Sequence, residues 1–222
     1  MWVLLWIVLS AILIGASLWS LQILLRQKKA WEEYARARNL SFKRGTFMGP
    51  AEITGQLGDY KVSFFTAQQA GTDMRSRRYV TAMELELSEG FVDGGAAGTQ
   101  EMVPFMQGLE KIHPYKVDYP DWDAAHHMFV KYDDVTRAYF TPERYEALTQ
   151  ILKTRNAEVI VLFNDASVVL HAETSDPMQD AQKIDKIVKR LTALCDRLRI
   201  SNEERRALMA LAAPAETETA AT

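Results

Sequence analysis

His126 and His127, set among Asp121, Asp123, Asp133 and Asp134, are residue types that hold hydrolytic metals and polarise water. Their spacing argues against such a centre. Neighbours along a strand point to opposite faces, and no His-xx-His or His-Glu-xx-His pair brings two imidazoles to one side of a helix. Solvated or singly hydrogen-bonded histidines ahead of an ordinary strand are expected instead. His113 precedes Pro114 in a loop and His171 sits in a strand beside core residues, so both read as structural. Cys195 falls on the apolar stripe of the last long helix, where burial raises a thiol pKa and blocks access. Residues 94 to 98, GGAAG, lack the Lys-Ser or Lys-Thr of a phosphate-binding loop, and no Gly-x-Ser-x-Gly elbow occurs. No catalytic residue, metal site or cofactor is therefore expected. Arg75, Arg77 and Arg78 form the one cluster suited to a ligand, because grouped guanidinium groups bind phosphate through charge-assisted hydrogen bonds. A solvated rim is the plainer reading of the same residues.

What must position these groups begins with a membrane anchor. Residues 2 to 25 carry no charge and reach about 36 Å as a helix, more than a hydrocarbon core requires. A cleavable signal peptide would show a basic leader, a shorter apolar run and a small-residue cleavage site, and no cysteine follows the span for lipid attachment. Trp2, Trp6 and Trp19 lie toward its two ends, where indole rings favour the membrane interface. Arg26, Lys28, Lys29, Arg36, Arg38, Lys43 and Arg44 follow the span and give residues 26 to 44 a net charge of +5, against -8 for residues 45 to 222. Positive-inside bias then places the N-terminus outside and the C-terminal body in the cytoplasm, a compartment that suits a lone reduced thiol. The sequon Asn39-Leu40-Ser41 has no role in that orientation. Ala11 and Gly15, like Ala16 and Ser20, have the small-xxx-small spacing of a weak homodimer face.

The body, residues 45 to 211, follows a basic juxtamembrane helix at residues 26 to 44. In that helix Trp31 and Tyr34 either dip into the membrane interface or pack on the domain. Period-two segments flank Gly58-Asp59, a hairpin turn, and RRYVTAMELEL puts Met83, Leu85 and Leu87 opposite Glu84 and Glu86. SEGFVDGGAAGTQ reads as a flexible loop, and HMFVKYDDVTRAYF as one strand or two short ones. Thr141 and Pro142 start a helix; AEVIVLF and SVVLHAE form a second hairpin about Asn164-Asp165. Asp176 and Pro177 should open the last helix, striped by Ile184, Val188, Leu191, Leu194 and Leu198. Residues 212 to 222 read as a disordered tail.

This order describes an α+β domain with a mainly antiparallel sheet and two packed helices behind a single transmembrane helix. A net charge of -3 excludes a globally basic nucleic-acid binder, while 48% hydrophobic residues describe a chain able to bury a core. With no catalytic constellation, the sequence points to a single-pass, membrane-anchored cytoplasmic module that binds a protein partner or scaffolds a complex. The alternatives are a lipid-headgroup or small-ligand sensor using Arg75, Arg77 and Arg78, and an enzyme whose site is scattered along the chain. In intact right-side-out cells, added protease should leave the body uncut until the membrane is opened; cleavage before opening would reverse the orientation.

Overall fold

A computed structural model describes residues 2–47, 49–70, 77–91 and 94–219. It begins with one unbroken helix, α1 (Trp2–Ala37), of 36 residues. From Trp2 to Ser20 this helix is exposed on every side, a length of about 28 Å at 1.5 Å per residue, close to the roughly 30 Å of a hydrocarbon core. Among the described residues it is the helix long and apolar enough to cross a membrane. Leu21, Ile23 and Leu24 are half-buried, and Gln27, Lys28, Ala30, Trp31, Tyr34 and Ala35 are buried. The second half of the same helix is therefore part of the folded domain.

Among the described residues nine strands form one sheet, paired antiparallel throughout: β1 (Ser41–Lys43), β2 (Glu52–Leu57), β3 (Tyr60–Ala70), β4 (Arg77–Leu87), β5 (Gly95–Thr99), β6 (His113–Pro114), β7 (His126–Val130), β8 (Ala157–Phe163) and β9 (Val168–Thr174). Their spatial order is β1-β2-β3-β4-β9-β8-β5-β7-β6. Gly58, at φ +59°, makes the β2–β3 turn, and the register sets Val62 opposite Leu85 and Leu85 opposite Leu170. That face is covered by the second half of α1, by α5 (Ala181–Asp196) and by α4 (Pro142–Leu152), which Thr141 caps and Pro142 starts. β8 lies between β9 and β5, so Ile160 and Val161 are buried on opposite faces, as a run of consecutive apolar residues requires. On the other face α2 (Val103–Gln107) seats Met106 over Ala96, Phe129 and Ile160, while Ser63, Glu84, Glu86, Val169 and His171 on β3, β4 and β9 are partly exposed.

Several expectations need correction. GGAAG is not a loop: β5 pairs with both β7 and β8 inside the sheet. Its small residues are what the site accepts, since a Cβ at Gly95 would sit 2.6 Å from the Phe129 carbonyl oxygen and 2.7 Å from the Phe163 ring. The segment after β7 is a helix, α3 (Asp133–Tyr139), with Asp133 and Asp134 favourably placed in its first turn. The helix expected to open at Asp176 is α5, which starts later and is followed by α6: Asp180 accepts from Gln182 N and Lys183 N while Asp176 accepts from Met178 N and pairs with Lys183. Residues 212–219 continue α6 (Asn202–Thr219), whose Leu208 and Ala212, four residues apart, are buried together. The α+β architecture stands: a long apolar N-terminal helix is followed by an antiparallel sheet on which α4 and α5 pack, and the continuation of α1 joins them there.

Trp31 is 0% exposed and meets Phe64 edge-on at 6.0 Å, with Tyr34 on the same ring at 5.9 Å. Trp31→Ala in a fragment beginning at residue 26 should cost about 3–5 kcal/mol in denaturant unfolding, the range for emptying a buried aromatic site. Leu191→Asp, which would bury a carboxylate under α5, should be at least as damaging, and an unchanged melting temperature would show that face to be open.

Candidate functional site

The juncture of α1 with the domain defines the end of the body nearest the span. Arg26 and Lys29 remain exposed there, as do Trp2, Trp6 and Trp19 within the span. Lys28 and Trp31 do not serve as interface residues. Trp31 belongs to the core, and Lys28 turns inward to donate to the carbonyl oxygens of Thr46 and Phe47, at 2.6 and 3.1 Å. Burial, aided by the nearby Arg44 charge, lowers the Lys28 pKa. Arg36 pairs with Glu32 at 2.8 Å, Arg38 with Asp185, and Lys43 with Glu52 at 3.7 Å. Of the basic collar, Lys28 and Arg38 thus hold the domain to the helix.

Lys28 fixes the loop that carries Phe47, which is 68% exposed. On the neighbouring strands Gln27 donates to Thr81 Oγ1 at 3.4 Å, which puts Thr81 beside the last turn before the buried stretch. The β3–β4 ladder continues past its Thr66–Thr81 pair to Ala70–Arg77, beyond the reach of β9, whose pairing with β4 ends at Thr81. This two-stranded ribbon projects toward the end of the body from which the candidate span leaves. Arg78 pairs with Gln69 and Arg77 with Ala70 in it, whereas Arg75 lies outside the described residues.

On the open sheet face a polar row crosses β3, β4 and β9. Lys61 bonds Glu86 at 2.9 Å and Ser63 bonds Glu84 at 3.3 Å. His171 Nδ1 lies 3.0 Å from Glu84 and Nε2 3.1 Å from Glu173, with the Phe65 ring alongside at 6.3 Å. Burial alone would lower the His171 pKa, but hydrogen bonds and charge from Glu173 and Glu84 outweigh it and raise the value. The two carboxylates occupy opposite ends of one imidazole, an arrangement that holds a cation on the ring and leaves no common point for a metal.

The other histidines are dispersed. His126 is buried and His127 meets Gln100, on opposite faces of β7, while His113 meets Asp133 at 2.8 Å. Among the described residues no three His, Cys, Asp or Glu side chains are placed to hold a metal ion. Burial pushes the Cys195 thiol up to about 12. Long-range polar contacts went unseen in the sequence. Arg144, with an 11% exposed side chain, bonds Glu204 bidentately and donates to the carbonyl oxygens of Tyr139 and Arg199 at 2.8 and 2.9 Å. It ties α4 to α3 and α6 across about sixty residues of sequence, so no local signal marks it. A groove of 420 Å³ between α1, α5 and the β2–β3 turn is likewise assembled from distant segments, with Tyr60 bonding Asp196 at 2.7 Å on its wall.

A raised histidine pKa gives stability that is complete below the unfolded value of roughly 6.5 and is lost as pH rises through the folded value. His126, lowered by burial, acts with the opposite sign. The melting temperature of the wild type relative to His171→Gln should therefore be highest in mild acid and should fall as pH rises above about 6.5. A pH-independent difference would show that the Glu84–His171–Glu173 contacts do not hold a proton.

No protein-family model matches the chain, and no curated protein matches it in sequence. Among solved structures it is similar to the mycobacterial trehalose monomycolate transport factor A, TtfA, at a TM-score of 0.48 and 11% identity, over 78% of this chain and 94% of that one.

Proposed function

We propose that the chain is a single-pass, membrane-anchored scaffold whose body lies in the cytoplasm and offers the open face of its sheet to a protein partner. The observation that carries this reading is the continuity of α1, which is both the candidate span and a core element, so the domain is held at a fixed height beside the bilayer. The basic residues after the span support the cytoplasmic orientation. The row from Lys61 to Glu173 supports the choice of face, because an antiparallel sheet left uncovered on β3, β4 and β9 presents fixed charges of both signs.

A second reading has its own support. The ribbon beyond Thr66 and Thr81, together with exposed Phe47 and Tyr79, occupies the membrane end of the body, where headgroup contact would make the domain a surface sensor. A photo-crosslinking side chain at Ser63, Glu86 or, as control, Lys186 on α5 separates the two in native membranes. The scaffold reading expects discrete protein adducts at Ser63 and Glu86 and few at Lys186. Lipid adducts alone would favour the sensor, and equal labelling at all three positions would overturn the choice of face.

A further inference from the structure

A cavity of 360 Å³ opens between α5, the α4–β8 connection and the ends of β8 and β9. It lies at the membrane end of the sheet, since its wall residue Thr174 is the β4 partner of Thr81, the residue that Gln27 touches. Its interior is apolar: Met83, Ala172 and Met178 are buried there and Ile187 is half-buried. Its rim is basic. Arg155, Lys183 and Arg190 surround the opening, and Asp176 alone opposes them. Asp176 pairs with Lys183, Arg190 makes a single 3.4 Å contact to the Gln150 carbonyl oxygen, and Arg155 has no ion-pair partner among the described residues. Two guanidinium groups are thus left at the mouth of a hydrocarbon-lined hole.

The walls are preformed. Thr174 Oγ1 donates to the Asn156 carbonyl oxygen at 2.7 Å and accepts from Asp176 N at 3.1 Å, and Asp176 in turn accepts from Met178 N at 2.8 Å. These bonds hold Met178 at φ +51° and Asn156 at φ +55°, a backbone region costly for a methionine, and thereby keep the Met178 side chain in the wall. A small apolar pocket with a few convergent polar groups is the usual form of a ligand site, and its volume sits at the low end of the roughly 300–1,000 Å³ range.

We infer that this cavity binds an anionic single-chain amphiphile, its hydrocarbon among Met83, Ala172, Met178 and Ile187 and its carboxylate or phosphate between Arg155 and Arg190. The chemistry follows from the lining: an apolar interior rewards a chain, and paired guanidinium groups match the oxygens of a carboxylate or phosphate in a way an ammonium or hydroxyl head cannot. The site is independent of the scaffold reading, which concerns the opposite sheet face.

The test uses the full chain in phosphatidylcholine nanodiscs and a twelve-carbon carboxylate bearing a diazirine near its chain end, with adducts mapped by peptide mass. Labelling is expected within residues 172–190 as well as on the span. The cavity adducts should be competed by dodecanoate and dodecyl phosphate but not by dodecyltrimethylammonium, and should fall at least tenfold in the exposed-residue variant Arg155→Gln/Arg190→Gln. Ile187→Trp, which fills the hole, should remove them while the labelling of the span persists. Adducts confined to residues 2–25, equal competition by the ammonium, or unchanged labelling in the arginine variant would overturn the assignment. Native mass spectra of protein released from its own membranes name the source: a lysophospholipid mass indicates the bilayer and a fatty-acid mass the soluble pool, either supporting the site where the arginine variant loses it, while a retained mass unchanged in that variant would overturn it.

Discussion

The edge-on contact of Trp31 with Phe64 joins a helix apolar enough to cross a membrane to the folded sheet, and the remainder of the structure is arranged around that joint. α1 changes character along its length. Up to Ser20 it is apolar on all sides, as a helix surrounded by hydrocarbon should be. Beyond Arg26 it becomes one-sided, with Trp31, Tyr34 and Ala35 facing the sheet and Lys29, Glu33 and Arg36 facing away. Lys28 seals the changeover by binding the 46–47 carbonyls, and Arg38 binds α5 through Asp185. Charges that would elsewhere serve as headgroup contacts are used here to set the tilt of the helix on the domain.

The far half of the sheet is held by a different kind of packing. An aromatic chain runs from Phe163 through Phe91, Tyr139, Phe140 and Tyr145 to Tyr119, with successive ring centroids 4.4 to 5.5 Å apart. Rings of that size need slim neighbours, and β5 supplies them with Gly95 and Ala97 on that face. Arg144 then closes the end of the domain by bringing α4, α3 and α6 onto one guanidinium group, 4.4 Å above the Tyr139 ring.

The parts that were legible in the sequence are those whose cause is local. An uncharged run marks the span, Gly58-Asp59 and Asn164-Asp165 mark their hairpins, and Thr141-Pro142 marks the start of α4. The parts that were not legible have distant causes. GGAAG carries no strand propensity and is a strand because β7 and β8 pair with it on both sides, with Phe129 and Phe163 leaving no room for a side chain at Gly95. Asp176 and Asp180 are equally good caps by type, and the choice falls to Asp180 because Lys183 and Met178 engage the other. Trp31 and Lys28 resemble membrane-interface residues until Phe64 and the 46–47 carbonyls are known to face them. The cavity rimmed by Arg155 and Arg190 combines residues from β4, the α4–β8 connection, β9 and α5, none of which forms a motif along the chain.

A helix that is unbroken from span to core also fixes a compass bearing. At about 100° per residue, Ala11 and Gly15 lie roughly 160° around α1 from the mean direction of Gln27, Lys28, Ala30, Trp31, Tyr34 and Ala35. The small-residue stripe therefore looks away from the side on which the domain hangs. Two copies meeting along that stripe would carry their bodies outward on opposite flanks, clear of each other, whereas Ala16 and Ser20 lie on the body's own side of the helix. One residue inserted between Ser20 and Gln27 would swing the whole body by about 100° about the helix axis. The azimuth at which the domain faces its surroundings is thus written into the spacing of α1.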